Sequence, residues 1–356
     1  MRLLFIKLKH IGDALLLTPT LTGVRRHLPD AEIHVVVRKG SEEILHGCNA
    51  IDHLWTTSAP EKNRRSFRDL RTDARLVRQL RKQRFDWSFE LTDGDRGRWI
   101  SLLAQPRQRA TTSVGWPLQW IWQRHFTLKS SWDWMQAHRV EKDYRLVYEA
   151  LGLPLNIPPL AFSPEHRQRV DLPDAGPLDD YVVIHPATRW ERKKWPEDRW
   201  IALGHHLLTR TKKLVLTCGA DPSEIASVNR IQAALGSACH STQGGLSWSQ
   251  MAGLMTHARL FVGVDTAAMH LAAACRTPTI ALFGPSNDNL WAPWQTAHRI
   301  VSDPTFAYAP SHPEFFLHVE QRRMDQISES DVWTACDALM QGEDESTVSK
   351  MGISRR

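Results

Sequence analysis

Twice along this chain, on either side of a proline-rich stretch, short apolar runs alternate with segments of helical period. In the first half, residues 3–8, 33–37 and 87–91 read as strands, with helices near 14–27, 67–84 and 137–151. In the second half, strands fall at 181–185, 213–217, 260–264 and 279–283, and helices near 197–209, 223–235, 249–257 and 267–274. Parallel strands need a crossover connection, so this alternation predicts an α/β chain with two Rossmann-like parallel-sheet domains. Pro154, Pro158, Pro159, Pro164, Pro173 and Pro177 crowd the region between them, the composition of an interdomain linker. The expected organisation is an N-terminal domain over 1–152, a linker over 153–180, a C-terminal domain over 181–340 and a disordered polar tail over 341–356. Ligands are expected in a cleft facing the carboxyl ends of both sets of strands.

The chain has 356 residues, 42% of them apolar, enough to fill two cores and to exclude a fibre or a disulfide miniprotein. Lys7 and Lys9 interrupt the opening apolar run before a signal-peptide core can form. No stretch approaches the ~20 apolar residues that span a bilayer, and a cytoplasmic protein is expected. Its five cysteines lie far apart without a CxxC pair, and read as buried thiols.

Charge is concentrated in one place. Residues 61–84 hold ten Lys/Arg and three acids, a larger surplus than the +6 of the whole chain. Phe67, Leu70, Ala74, Val77 and Leu80 recur there at helical spacing, which predicts an amphipathic helix docked by that stripe with Arg71, Arg75 and Arg78 facing outward. Such a face attracts phosphates of nucleic acid, anionic lipid or a phosphorylated glycolipid. No recognised nucleic-acid module accompanies the charge, so nucleic acid is not the expected partner.

Four short segments could carry chemistry. Gly12-Asp13 follows the first strand, where Asp13 is either a helix N-cap or a carboxylate able to take a proton from a hydroxyl. Thr188 and the cations Arg189 to Lys194 follow the first strand of the second half. They either neutralise a phosphate or form an exposed basic loop ahead of Trp195-Pro196. Asp221 and Glu224 either bind a ribose or an adenine edge, or cap the following helix. Asp265-Thr266 ends a strand just before Ala267, Ala268, Met269 and His270. Free backbone N–H groups at that helix start could hold a phosphate oxygen, leaving Asp265 for sugar hydroxyls or for a cap.

Taken together, Gly12-Asp13, Lys193-Lys194-Trp195-Pro196, Asp265-Thr266 with Met269-His270, and Phe283-Gly284-Pro285-Ser286 resemble glycosyltransferase family 9, the lipopolysaccharide heptosyltransferases. The likeness runs from Met1 to about Trp294. The Ala267/Met269 variant, Trp132-Asp133-Trp134 and Asp93-Gly94-Asp95-Arg96 look closest to the type III inner-core enzymes. The resemblance implies a GT-B fold and inverting transfer of heptose from ADP-heptose to a heptose of the lipopolysaccharide core, at the inner membrane surface and without metal or cofactor. It further implies Asp13 as general base and Thr188 and Lys193 as diphosphate ligands. Asp221, Glu224, Asp265, Thr266, Ala267 and His270 would complete the donor site, and Gly12, Arg71, Arg75 and Arg78 would meet the acceptor. Asp93-Gly94-Asp95 then only mimics the metal-binding DxD of other glycosyltransferases. The alternatives are a GT-B transferase using another nucleotide sugar, or a basic nucleic-acid-binding protein.

Overall fold

The computed structural model describes residues 1–60, 66–112, 119–130, 137–172, 175–308, 312 and 315–342. Trp132-Asp133-Trp134 and nearly all of the expected tail lie outside the described residues. Two compact units divide between Ser163 and Pro164.

The first unit runs β1 (Arg2–Lys7), α1 (Ile11–Leu15), α2 (Thr18–His27), β2 (Glu32–Arg38), β3 (His53–Thr57), α3 (Phe67–Gln83), β4 (Trp87–Glu90), α4 (Asp95–Ala104), β5 (Gln108–Thr111), α5 (Gln119–His125), β6 (Leu128–Lys129) and α6 (Arg139–Leu151). Its six strands are parallel in the order β3-β2-β1-β4-β5-β6. Leu3, Leu4, Phe5 and Ile6 are all fully buried, as expected of a strand covered by helices on both faces. On one face α3 and α4 close over β1, with Leu76, Leu80, Ile100 and Ala104 packed on Leu4 and Ile6.

The second unit repeats the plan with β7 (Tyr181–His185), α7 (Glu197–Leu207), β8 (Lys213–Leu216), α8 (Pro222–Leu235), β9 (Cys239–Ser241), α9 (Trp248–Thr256), β10 (Leu260–Val264), α10 (Ala267–Ala274), β11 (Thr279–Phe283), α11 (Asp288–Trp291), β12 (His298–Ser302), α12 (Phe315–His318) and α13 (Glu329–Met340). Its order is β12-β11-β10-β7-β8-β9, all parallel. Read from the other edge, that is the order of the first unit. In each, the winding reverses beside the first strand, between β1 and β4 and between β7 and β10. The crevice outside the strand ends at such a reversal is where doubly wound sheets bind ligands.

Three local expectations are corrected. The helix expected over 14–27 is two helices. α1 already begins at Ile11, with His10 at its N-cap, so Asp13 is the third residue of the first turn and not the cap. Pro19, which has no N–H to donate, sits in the first turn of α2, where the missing donor costs nothing. The stripe predicted to dock α3 is only half right: Leu76, Val77 and Leu80 pack on the sheet, whereas Phe67, Leu70 and Ala74 are exposed. Among the described residues, nothing buries that stripe in the first turns of α3. Finally, Asp265 is not the cap of α10; Thr266 holds that position.

The proline-rich stretch is packed rather than loose. Phe162 fills the space a side chain on Gly47 would need. Further on, the Gln168 N–H donates to the Ser249 carbonyl at 3.0 Å.

Candidate active site

In the first unit, β1 delivers Lys7 and the turn after it delivers Asp13 to the β1/β4 reversal. Asp13 is buried; one carboxylate oxygen, Oδ2, accepts the His10 N–H at 3.2 Å. Its other oxygen, Oδ1, is buried with no hydrogen-bond partner. An ionised oxygen in that condition is under-solvated and suited to receive a hydroxyl. Gly12 is also buried, on the preceding position of the same turn.

Around Asp13 stands a charged network. Lys7 Nζ lies 2.6 Å from Asp143 Oδ2, with both side chains almost wholly buried. The neighbouring Lys142 bonds Asp93, which also accepts from the Thr112 hydroxyl and faces Lys9 Nζ at 3.7 Å. Burial opposes the Lys7 charge, but Asp143, Asp13 and Asp93 outweigh it and raise the affinity of this ammonium for its proton. Burial likewise opposes the Asp93 charge, yet Lys142, the Thr112 hydroxyl and Lys7 hold that carboxyl at about 2. Glu90, at the end of β4, is pushed up to about 7 by burial and by Asp93. It accepts from the Thr92 N–H at 2.9 Å and the Thr111 hydroxyl at 3.2 Å, with Arg98 Nε at 3.9 Å. Asp95 is held by Arg98 at 3.1 Å and by the Trp122 N–H at 2.8 Å. Both carboxylates of the DxD-like triplet thus have partners within the protein.

Sequence reasoning missed Lys7, Glu90, Lys142 and Asp143. A lysine closing an otherwise apolar strand was the visible signal, but its partner is 136 residues away.

In the second unit, β7 and β10 bring the donor-site candidates together. Thr188 is buried and its hydroxyl accepts the Trp190 N–H at 3.2 Å. Lys193 closes a single 3-10 turn, Glu191–Lys193, and its ammonium sits 5.5 Å from the centre of the Trp190 ring. It reaches Asp265 Oδ2 at 2.6 Å. Lys194 instead pairs with Glu191 at 2.7 Å. Thr266 stands at the start of α10 with its hydroxyl oxygen buried and unpartnered, and the Ser286 hydroxyl is in the same condition. Ala267 opens the helix and His270 is buried one turn in. His185, at the end of β7, bonds the Thr217 hydroxyl at 2.9 Å and is driven by burial to about 4, so it is neutral.

Asp221 and Glu224 serve their own turn. Asp221 caps α8 through the Ser223 N–H at 2.9 Å, and Glu224 accepts the Gly219 N–H at 2.8 Å. Asp221 is thus the cap expected as one alternative, whereas Glu224 holds the preceding turn instead of capping α8. Arg71, Arg75 and Arg78 are exposed on α3.

Among the described residues, one group has metal-ligand spacing: Glu32, His34 and His53, at the opposite end of the first sheet from Asp13. The Trp55 N–H donates to His34 Nδ1 at 3.1 Å, which puts the His34 proton on Nε2, facing Glu32 Oε1 at 3.0 Å. That tautomer offers no lone pair to a metal. A cavity of about 800 Å³ lined by Arg167, Tyr181, Leu254 and His257 lies at the strand-entry end of the second sheet, away from the donor-site candidates.

The glycosyltransferase family 9 (heptosyltransferase) model matches residues 74–314. Lipopolysaccharide heptosyltransferase 3 of Escherichia coli K12 is 29% identical over 346 residues, covering 94% of this chain and 96% of its own. Among solved structures, E. coli ADP-heptose lps heptosyltransferase II superposes with a TM-score of 0.73 at 19% identity, covering 96% of this chain and 99% of that one. E. coli heptosyltransferase WaaC with ADP-2-deoxy-2-fluoro heptose gives 0.76 at 19% identity, over 95% and 100%. The two Rossmann-like units are those of the GT-B class. With more than half of its length matched by the family model, this chain belongs to glycosyltransferase family 9, the heptosyltransferases.

Proposed function

We propose that this protein transfers heptose from ADP-heptose to a heptose of the lipopolysaccharide inner core, as a type III enzyme, with inversion at the anomeric carbon. The observation that carries the reading is Asp13 Oδ1, a buried oxygen without a partner at the β1/β4 reversal.

In this reading the acceptor hydroxyl donates to Asp13 Oδ1. As its oxygen bonds the anomeric carbon, the proton passes to Asp13, the bond from that carbon to the diphosphate oxygen breaks, and ADP departs. The departing diphosphate gains charge only as that bond breaks, so groups placed for it lower the barrier rather than merely tightening binding. Lys193 leaves Asp265 for the diphosphate, and Thr188, the Thr266 hydroxyl and the first N–H groups of α10 at Thr266 and Ala267 receive its oxygens. Asp265, released, takes the sugar hydroxyls, with His270 behind it. Asp221 and Glu224 sit nearer the nucleoside end, their backbone contacts fixing the turn. An ammonium and helix amides compensate the leaving group in this scheme, so no divalent ion is needed. Gly12 lets the acceptor approach, and Arg71, Arg75 and Arg78 meet its phosphates. The names of the relatives, one solved with a fluorinated ADP-heptose, support the donor assignment.

The test is turnover with ADP-heptose and truncated core acceptors, read by product mass and anomeric configuration, with and without chelator. Transfer of a different sugar, or loss of activity in EDTA restored by a metal, overturns the corresponding part.

A further inference from the structure

Trp190 is 60% exposed, the only exposed tryptophan among the described residues of the second unit, whereas Trp195 and Trp200 a few residues on are buried. Single exposed aromatics are ordinary on protein surfaces, and exposure alone assigns nothing. The surroundings of this one do. Its amide N–H donates to the Thr188 hydroxyl at 3.2 Å, and its carbonyl accepts the Lys193 N–H at 2.8 Å. The residue thus ties together the two proposed diphosphate ligands, and does so with its backbone. The indole takes no part in that tie and stands in the open beside them.

One contact of the ring points to a ligand. Lys193 Nζ sits over it, 5.5 Å from its centre, while bonding Asp265 Oδ2 at 2.6 Å. A single ammonium therefore bridges a carboxylate and an aromatic face. Both attract positive charge, the first as an ion and the second through the electron-rich face of the π system. A pyranose ring suits the same two partners. Its hydroxyls donate to a carboxylate, and its C–H groups, which carry small positive partial charges, lie against a π face and bury apolar area there. In the proposed reaction Lys193 passes from Asp265 to the diphosphate. The heptose is joined directly to that diphosphate, so its ring reaches the two groups that the ammonium has given up.

We propose that Trp190 is a donor-specificity residue: its indole is the platform for the C–H face of the heptose in ADP-heptose, so that the site holds the sugar nucleotide more tightly than ADP. The inference rests on the proposed ADP-heptose donor and adds the apolar half of the sugar site, of which Asp265 is the polar half. It also bears on product release. Once the heptose has been transferred, ADP no longer has the platform contact, and the ring is again available to Lys193.

The experiment is titration calorimetry of the wild type, Trp190→Ala, Trp190→Leu and Trp190→Tyr with ADP and with ADP-heptose, in the absence of acceptor. Because Thr188 and Lys193 are tied to the backbone of residue 190, these substitutions leave both in place. Trp190→Ala and Trp190→Leu should lower the affinity for ADP-heptose about fivefold or more, and Trp190→Tyr, which keeps a π face, by less. ADP affinity should be unchanged or slightly higher, since the lost ring stabilised Lys193 in its position without ligand. In turnover the KM for ADP-heptose should rise and that for the acceptor stay as it is. Should Trp190→Ala misfold, the contrast between Trp190→Leu and Trp190→Tyr carries the same comparison. Equal losses of ADP and ADP-heptose affinity would make Trp190 a support of its loop or a partner of the adenine, and overturn the proposal. So would unchanged affinity for both, or a higher KM for the acceptor alone. A wild type that transfers heptose but binds ADP-heptose no more tightly than ADP refutes the platform and leaves the reaction standing. One that transfers another sugar instead refutes the donor reading, and this assignment with it.

Discussion

Lys193 Nζ and Asp265 Oδ2 are 2.6 Å apart, so the cation expected for a diphosphate is closed on the carboxylate expected for the sugar. The pair spans the β7/β10 reversal and is largely shielded from solvent. In the proposed scheme a nucleotide sugar opens it, and each partner then affects affinity with opposite sign. Lys193→Met removes a charge-assisted contact worth ~1.5–3 kcal/mol and should weaken ADP binding about tenfold to a hundredfold. Asp265→Asn removes a competitor and a repulsive charge, and should leave ADP affinity equal or higher while turnover falls. Titration calorimetry with ADP separates the two; parallel losses would contradict the exchange.

Asp13→Asn keeps an acceptor for the His10 N–H and therefore the local fold. It removes the proton acceptor, and kcat should fall by roughly 10²–10⁴, the usual contribution of a general base. ADP affinity should be unchanged. Retained turnover would reduce Asp13 to a structural role in the first turn of α1.

Lys7→Met strands the Asp143 carboxylate in a nearly dry site. Breaking a buried pair from one side costs about 3–5 kcal/mol. Urea unfolding should show that loss, and Lys7→Met/Asp143→Leu should recover most of it. If the double variant transfers heptose more slowly than its stability explains, the lysine also orders the surroundings of Asp13.

Glu90 sets a pH dependence. Its carboxyl is raised to about 7 in the folded protein from an ordinary 4.5, so between these values the folded state holds the proton more tightly than the unfolded chain. Stability from this group is complete below about 4.5, declines as pH rises through that window, and levels off above about 7. The decline is on the order of 3 kcal/mol for this fully buried group. Glu90→Gln should flatten the melting temperature between pH 5 and 7; an unchanged slope would assign it to other groups.

The central strands were plain in the sequence because they are apolar throughout: Leu3 to Ile6 and Leu260 to Val264 are covered on both faces. The sheet edges were not. β3, β6, β9 and β12 are the outermost strands and carry polar residues, and the interior β5 (Gln108–Thr111), three of whose four residues are polar, is likewise unmarked by an apolar run. The stripe on α3 illustrates the other limit: periodicity shows which residues share a helix face, but not how far the underlying sheet extends. For the site, the positions of Asp13, Lys193 and Asp265 at strand ends were legible from pattern. That Lys193 touches Asp265, or that Lys7 meets Asp143, depends on strand order, and local sequence does not encode it.

The same six-strand winding occurs twice, yet its two reversals are furnished differently: one with ammoniums around a carboxylate, the other with a hydroxyl-bearing helix start beside a lysine. The shared winding thus carries two chemically distinct sets of side chains at equivalent places. Under the proposed assignment, substitutions at the first reversal would alter acceptor use and those at the second would alter donor use. Chimeras joined near Ser163 are thus a natural way to recombine the two specificities.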